Sequence, residues 1–169
     1  YGTVYDSLII SGVVDATLPG GLPKCIEFYA VYDIPDLSSY GFGSANNGGG
    51  SDGQEFTFPS IPLTAGSTYT VATDTNNFIS FFGQSPDNTD PTAGNVNGDD
   101  AIELFHNGVV IDVFGDINTD GSGEPWEYLD GWAYRNNYSL TNGGTFDIAQ
   151  WTFSGINALD FATNNANAN

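Results

Sequence analysis

Positive charge is almost missing from this chain. Lys24 and Arg135 are its only Lys and Arg, against 21 Asp and Glu, for a formal net charge of -19. Nucleic-acid affinity comes largely from Lys and Arg displacing counterions, so direct DNA or RNA binding is excluded. The same repulsion speaks against anionic membranes. No apolar run approaches the roughly 20 residues that a helix needs to span a bilayer. Divalent cations are the natural counter-ligands, and a salty medium would screen the self-repulsion. The plain alternative is that the charge only keeps a secreted protein soluble.

Cysteine is nearly absent too. Cys25 stands alone, so no intrachain disulfide is possible. In the run Cys25-Ile26-Glu27-Phe28-Tyr29, strand alternation places the thiol on the face of Glu27 and Tyr29. It reads as a small buried hydrophobe, with an intermolecular disulfide as the sharper alternative. His106, the single histidine, sits beside a turn. With one His and one Cys no transition-metal site is apparent. No P-loop, Gly-x-Ser-x-Gly elbow or His-Glu-x-x-His motif occurs. Carboxylate pairs such as Glu124 and Glu127 are too common in so acidic a chain to nominate a glycosidase. A non-catalytic protein is therefore expected. The start at Tyr1 rather than Met reads as a removed leader or as the inside of a longer chain. An extracellular location is expected on that ground.

Helix signals are as scarce as cations. There are 22 Gly, 8 Pro and no Met, and short β-rich runs alternate with Gly/Asn/Asp/Pro clusters. The pattern predicts an all-β sandwich or barrel with long Gly/Asn/Asp-rich loops and at most one or two short helices. Strands are expected at 7–14, 24–32, 54–58, 68–72, 101–106 and 109–114, with weaker ones at 131–134, 145–147 and 151–153. Asn107-Gly108 between two β runs predicts a hairpin, because a type I′ turn needs positive φ at both central positions. Glu103 and Asp112 interrupt its apolar residues, which implies one inward face and one partly wet face. Residues 44–51 (SANNGGGS) read as a flexible connector. Residues 76–83 read as the one short helix, capped by Asn76 and anchored by Ile79, Phe81 and Phe82. The length suits a single domain over 1–162, with 163–169 as a tail or linker stump. The first six residues (YGTVYD) are placed to pair with a neighbour's sheet edge, or else form an ordinary first strand. One glycosylation acceptor triplet, Asn137-Tyr138-Ser139, is present.

One segment converts general acidity into a coordination proposal. Residues 116–127 read D-I-N-T-D-G-S-G-E-P-W-E and satisfy the calcium-loop pattern D-x-[DN]-x-[DN]-G-x5-E. Asp116, Asn118 and Asp120 would supply side-chain oxygens, Ser122 a carbonyl and Glu127 a bidentate carboxylate, with Gly121 at the sharp turn. Calcium takes about six to eight such oxygens at about 2.3–2.6 Å. The flanks are not those of a helix–loop–helix hand, since β signals precede the loop and Pro125 lies within it. The competing reading is a metal-free turn. Asn97-Gly98-Asp99-Asp100 is a second acidic turn that either joins this site or is a turn alone.

Aromatic residues crowd 126–138. Trp126, Tyr128, Trp132, Tyr134 and Tyr138 alternate in part, so that a strand would present them on one face. They read either as core, with Arg135 paired to a carboxylate, or as a sugar-stacking platform.

Several runs together resemble a known group. These are NGDDAIELFHNGVVIDVFGD (97–116), CIEFY (25–29), ISGVVD (10–15), residues 34–59, PWEYLDGWAYR (125–135) and WTFSGINALD (151–160). They are similar to the lamin-tail-like domains of secreted bacterial proteins, often found beside extracellular nuclease modules. The resemblance implies an immunoglobulin-like β-sandwich serving as an accessory, adhesive or structural module, with no catalytic residues. Residues and resemblance together point to a calcium-stabilised extracellular or cell-surface module acting in adhesion or self-assembly. Its expected partners are calcium, other copies of itself, or surface glycans. A carbohydrate-binding module and an accessory domain of a secreted nuclease or other hydrolase are the alternatives.

Overall fold

A computed structural model of the chain describes residues 6–138 and 141–168. In chain order the elements are β1 (Leu8–Leu18), β2 (Leu22–Ala30), β3 (Tyr40–Ala45), β4 (Phe56–Thr57), β5 (Thr68–Ala72), α1 (Thr75–Phe82), β6 (Asn88–Thr89), β7 (Ala101–His106), β8 (Val109–Phe114), β9 (Trp132–Arg135) and β10 (Trp151–Phe153). They form a six-stranded sheet, β10-β9-β1-β2-β5-β6, and a four-stranded sheet, β4-β3-β7-β8. The chain is thus mostly β, in two sheets that share one main core, as in an all-β sandwich.

That core joins inward residues of both sheets. Ile10, Val13, Ile26 and Phe28 come from the first, and Phe42, Ile102, Leu104 and Phe114 from the second. Rings meet edge to face at its centre: Phe28 and Phe58 lie 5.0 Å apart at 86°, and Phe114 meets Trp151 at 4.7 Å. Such contacts add to plain burial because ring edge and ring face carry opposite partial charge. The far side of the first sheet is covered as well. There α1 lays Phe78 against Cys25 and Ala72, and Phe81 against Ala16 and Leu159. Under the helix this face is apolar, at Val14, Ala16 and Cys25, whereas further along it Ser11 donates to Glu27 Oε1 at 2.7 Å.

The helix differs in detail from its sequence reading. Asp74, not Asn76, caps it, with its carboxylate accepting from Asn77 N at 2.8 Å. Phe78 and Phe81 are buried, whereas Ile79 is 42% exposed. A 3.6-residue period places 78, 81 and 82 on one face and turns 79 away.

Strand β3 was hidden by its glycines. Tyr40-Gly41-Phe42-Gly43-Ser44-Ala45 alternates an inward ring with Gly, and Gly weakens strand propensity. Here it is required: a Cβ on Gly43 would lie 2.1 Å from Gly53 O, and one on Gly41 2.3 Å from Phe56 O. The chain at 53–56 crosses so close to β3 that no larger residue fits. Residues 145–147, expected as a weak strand, are not one. Thr145 closes a turn onto Asn142, and Asp147 caps a short 3-10 turn at Ile148–Gln150. At the far end, Asn164 caps another such turn at Asn165–Asn167, and Ala168 packs against the Phe81–Leu159 cluster.

The β7–β8 hairpin carries the most consequential irregularity. His106 pairs with Val109 and Phe105 with Val110, as the Asn-Gly turn dictates. An unbroken hairpin would next set Glu103 opposite Asp112, both on one face. Instead Leu104 pairs with Asp112 and Glu103 with Val113, because a β-bulge inserts one residue of β8. Asp112 is thereby rotated onto the inward face of Leu104, while Glu103 stays on the opposite face. Neither meets solvent as the sequence pattern implied: Asp112 is 0% exposed and Glu103 4%.

Candidate functional site

Both cations of the sequence are turned inward. Lys24 Nζ meets Asp15 Oδ1 at 2.6 Å, with the lysine side chain 12% exposed. Arg135 Nη2 meets both oxygens of Asp112, at 2.9 and 2.8 Å, and both side chains are fully buried. The expected Arg135–carboxylate pair is thus present, and Asp112 is its partner. This carboxylate also accepts from Ile10 N and Asn142 N, each at 2.9 Å. It therefore ties β8 to β1, β9 and the 142 loop, across the two sheets. The guanidinium lies 5.0 Å over the Trp151 ring. Burial pushes the Asp112 carboxyl up from its ordinary value, opposed by Arg135 and by the two backbone donors.

Three loops meet at one end of the molecule. Residues 44–51 are no loose connector: Ser44 and Ala45 belong to β3, and Asn46–Gly48 form a 3-10 turn. Gly48 has φ 68°, and a Cβ there would lie 2.3 Å from Asp120 N. Asp100 holds this turn and its own, accepting from Asn47 N and Asn97 N at 3.1 Å each. Burial raises the Asp100 carboxyl above its ordinary value, against the pull of those two donors. The Tyr128 hydroxyl, pushed far up by burial, donates to Asp100 O at 3.2 Å.

The predicted calcium ligands lie in the third of these loops. Asp116 Oδ1 accepts from Asn118 N and Oδ2 from Thr119 Oγ1, both at 2.9 Å. Asp120 Oδ1 accepts from Ser122 N at 2.9 Å, and Glu127 Oε2 from Gly123 N at 2.8 Å. Ser122 Oγ donates to Asp99 Oδ2 at 2.9 Å, which brings the second acidic turn against the loop. The donor chemistry, hard oxygens throughout, suits calcium. The arrangement does not gather it, because each carboxylate closes its own local turn. Among the described residues no three His, Cys, Asp or Glu side chains converge on a metal-holding point.

Beside this loop runs a groove of about 590 Å³ that the motif does not disclose. Exposed Asp116, Asn118 and Glu124 rim it, and buried Trp126 and half-buried Phe146 wall it. Glu103 of β7 lies at its floor. Although buried, this carboxylate accepts no hydrogen bond and joins no ion pair with any described residue. The sequence signal for it was available: an acid set between Ile102 and Leu104 in a strand whose neighbours are apolar.

The aromatic run divides. Trp126 and Tyr128 do not lie in a strand; they enter the main core around Phe114. Only residues 132–135 form a strand, from whose outer face Trp132 and Tyr134 project, their rings 5.4 Å apart and 17° from parallel. They border a second groove, of about 240 Å³, with Glu27, Thr70 and Gln84. His106 is not a free turn residue: Nδ1 lies 2.8 Å from Asp6 Oδ1, and the ring stacks on Tyr40 at 4.1 Å. Cys25 is buried and its thiol is pushed up by burial, which makes it inert toward exchange in the folded chain. Residues 1–5 of the proposed pairing strand, and Ser139 of the glycosylation triplet, lie outside the described residues. No family model, curated protein or solved structure matches the chain.

Proposed function

We propose that this chain is a non-catalytic module that works outside the cell, in adhesion or self-assembly, with calcium stabilising its acidic loop end. The observation that carries this reading is the placement of charge. Lys24 and Arg135 are both engaged by internal Asp partners, so the surface charge, His106 apart, is carboxylate. Such a surface calls for cations from outside. The two-sheet core, together with the runs similar to lamin-tail-like domains, supports an immunoglobulin-like type for the sandwich.

Calcium enters at Asp116, Asn118, Asp120, Ser122 and Glu127 by drawing Asp120 and Glu127 off their backbone donors, so binding and local rearrangement are one event. A ligand of the native state alone stabilises by about 2.7 kcal/mol at about a hundredfold excess over its Kd. Melting in calcium against melting in EDTA measures this. The expected result is a calcium-dependent rise that disappears in Asp120→Asn/Glu127→Gln. An unchanged melting temperature at saturating calcium removes the metal from the proposal.

A second reading, a carbohydrate-binding module, is favoured by one feature: the near-parallel Trp132 and Tyr134 rings beside Glu27 and Gln84. Sugar faces stack on such rings while polar neighbours take the hydroxyls. A glycan array probed with wild type and Trp132→Ala tests it. Silence of the wild type across the array ends this reading.

A further inference from the structure

We propose that the groove floored by Glu103 receives a basic side chain, arginine or lysine, from a different protein. The proposal rests on reading the chain as a binding module; because Asp116 and Asn118 border both the groove and the proposed calcium loop, it is tested in EDTA. Three observations meet here. Glu103 is 4% exposed and without a polar partner, although it lines an open groove. Its carboxylate oxygens keep access to that groove, so a cation entering there pairs with them without displacing another described partner. Above it the groove is amphipathic, with Trp126, Phe146 and Ile148 along the walls and Asp116 and Glu124 at the mouth. An alkyl stem with a cationic head matches this profile, because Lys and Arg lay their stems on apolar surface while the head seeks charge. Beside Trp126, a guanidinium also gains from the ring.

A bare divalent ion fits the groove poorly. It needs about six to eight oxygens close together, and no three acids converge among the described residues. A second copy of these 169 residues supplies no free Lys or Arg. Its Lys24 and Arg135 are both held by internal partners, and the sequence has no other Lys or Arg. The occupant is therefore foreign and basic.

The test is calorimetric titration of the full chain at low salt with an Ala-based peptide carrying arginine. A matched peptide carries citrulline, which keeps the shape and removes the charge. Binding of the arginine peptide, silence of the citrulline peptide and at least about a tenfold loss in Glu103→Gln are expected, since a buried charge-assisted contact contributes about 1.5–3 kcal/mol. Glu124→Gln, at the rim, is expected to lose only about twofold to threefold. Amide shifts at 115–119 and 144–148 place the peptide, and the melting curve of Glu103→Gln verifies its fold. A lysine peptide that binds as well supports the proposal on plain charge. Equal affinity of wild type and Glu103→Gln overturns it, as does equal binding of the citrulline peptide. If spermidine displaces the arginine peptide at equal concentration, the basic-protein assignment is overturned. Asp120 and Glu127 do not line the groove, so Asp120→Asn/Glu127→Gln separates failure here from failure of the calcium loop.

Discussion

Asp112 and Glu103 lie on adjacent strands of one hairpin, and both side chains are largely buried, yet their surroundings are opposite. Asp112 accepts from Arg135, Ile10 N and Asn142 N and joins the two sheets. Glu103, set on the opposite face by a single bulged residue, accepts from nothing described and floors a groove. Burial alone therefore says little about what an acid does. A buried acid with a full set of donors belongs to the architecture. A largely buried acid with none keeps its lone pairs open toward the groove, where a donor from outside can reach them.

The largest test of this contrast breaks the satisfied side. Arg135→Met leaves Asp112 buried and uncompensated, and is expected to cost about 3–5 kcal/mol in urea unfolding. Replacing Asp112 as well recovers only part, because Ile10 N and Asn142 N then lose their acceptor. The same measurement on the other side should show little: Glu103→Leu is expected to change stability by less than about 1 kcal/mol, because that carboxylate has no described donor to lose. A loss from Glu103→Leu comparable to that from Arg135→Met would erase the distinction between the two acids.

The smallest effect sharpens the contrast by proton linkage. Asp15, Asp100 and Asp112 are each raised above the ordinary 3.8, first by burial. In the window that opens at 3.8 and ends at their raised folded values, the native state binds more protons than the unfolded chain. Stability therefore falls as pH rises through that window, and recovers as pH drops back through it. Melting temperature is expected to rise as pH is lowered from about 7 into that window, aided by weaker self-repulsion. Asp100→Asn should flatten the trend; a melting temperature that falls on this acidification would contradict the assigned directions.

Much of the sheet framework was legible because strand runs and turn residues agree locally. Asn107-Gly108 set the hairpin, and β5, β7 and β8 keep the bounds that their sequences announced. What escaped was decided by tertiary contact. The glycines of β3 read as loop until the approach of Gly53 and Phe56 explains them. A bulge leaves no mark in the run V-V-I-D-V-F, so the reversal of Asp112 was invisible. That Arg135 would find a carboxylate was readable from the shortage of cations; that Asp112 would be the one was not. The spacing of residues 116–127 names oxygen donors, but the spacing of a string does not encode where Asp120 and Glu127 turn. Glu103 went unnoticed as a site residue because sequence shows an acid in a strand, never the missing donor around it.

The inward placement of the two cations bears on resistance to proteolysis. Proteases of trypsin's specificity must seat a Lys or Arg side chain in their pocket before they can cut. This chain carries two such side chains, one in β2 and one in β9, and both are held by Asp within the folded body. The folded chain thus offers these enzymes neither side chain free of its Asp partner, and both lie in strands paired with neighbours. Cleavage has to wait for the sheets to open, so at a given protease level its rate follows the population of opened molecules.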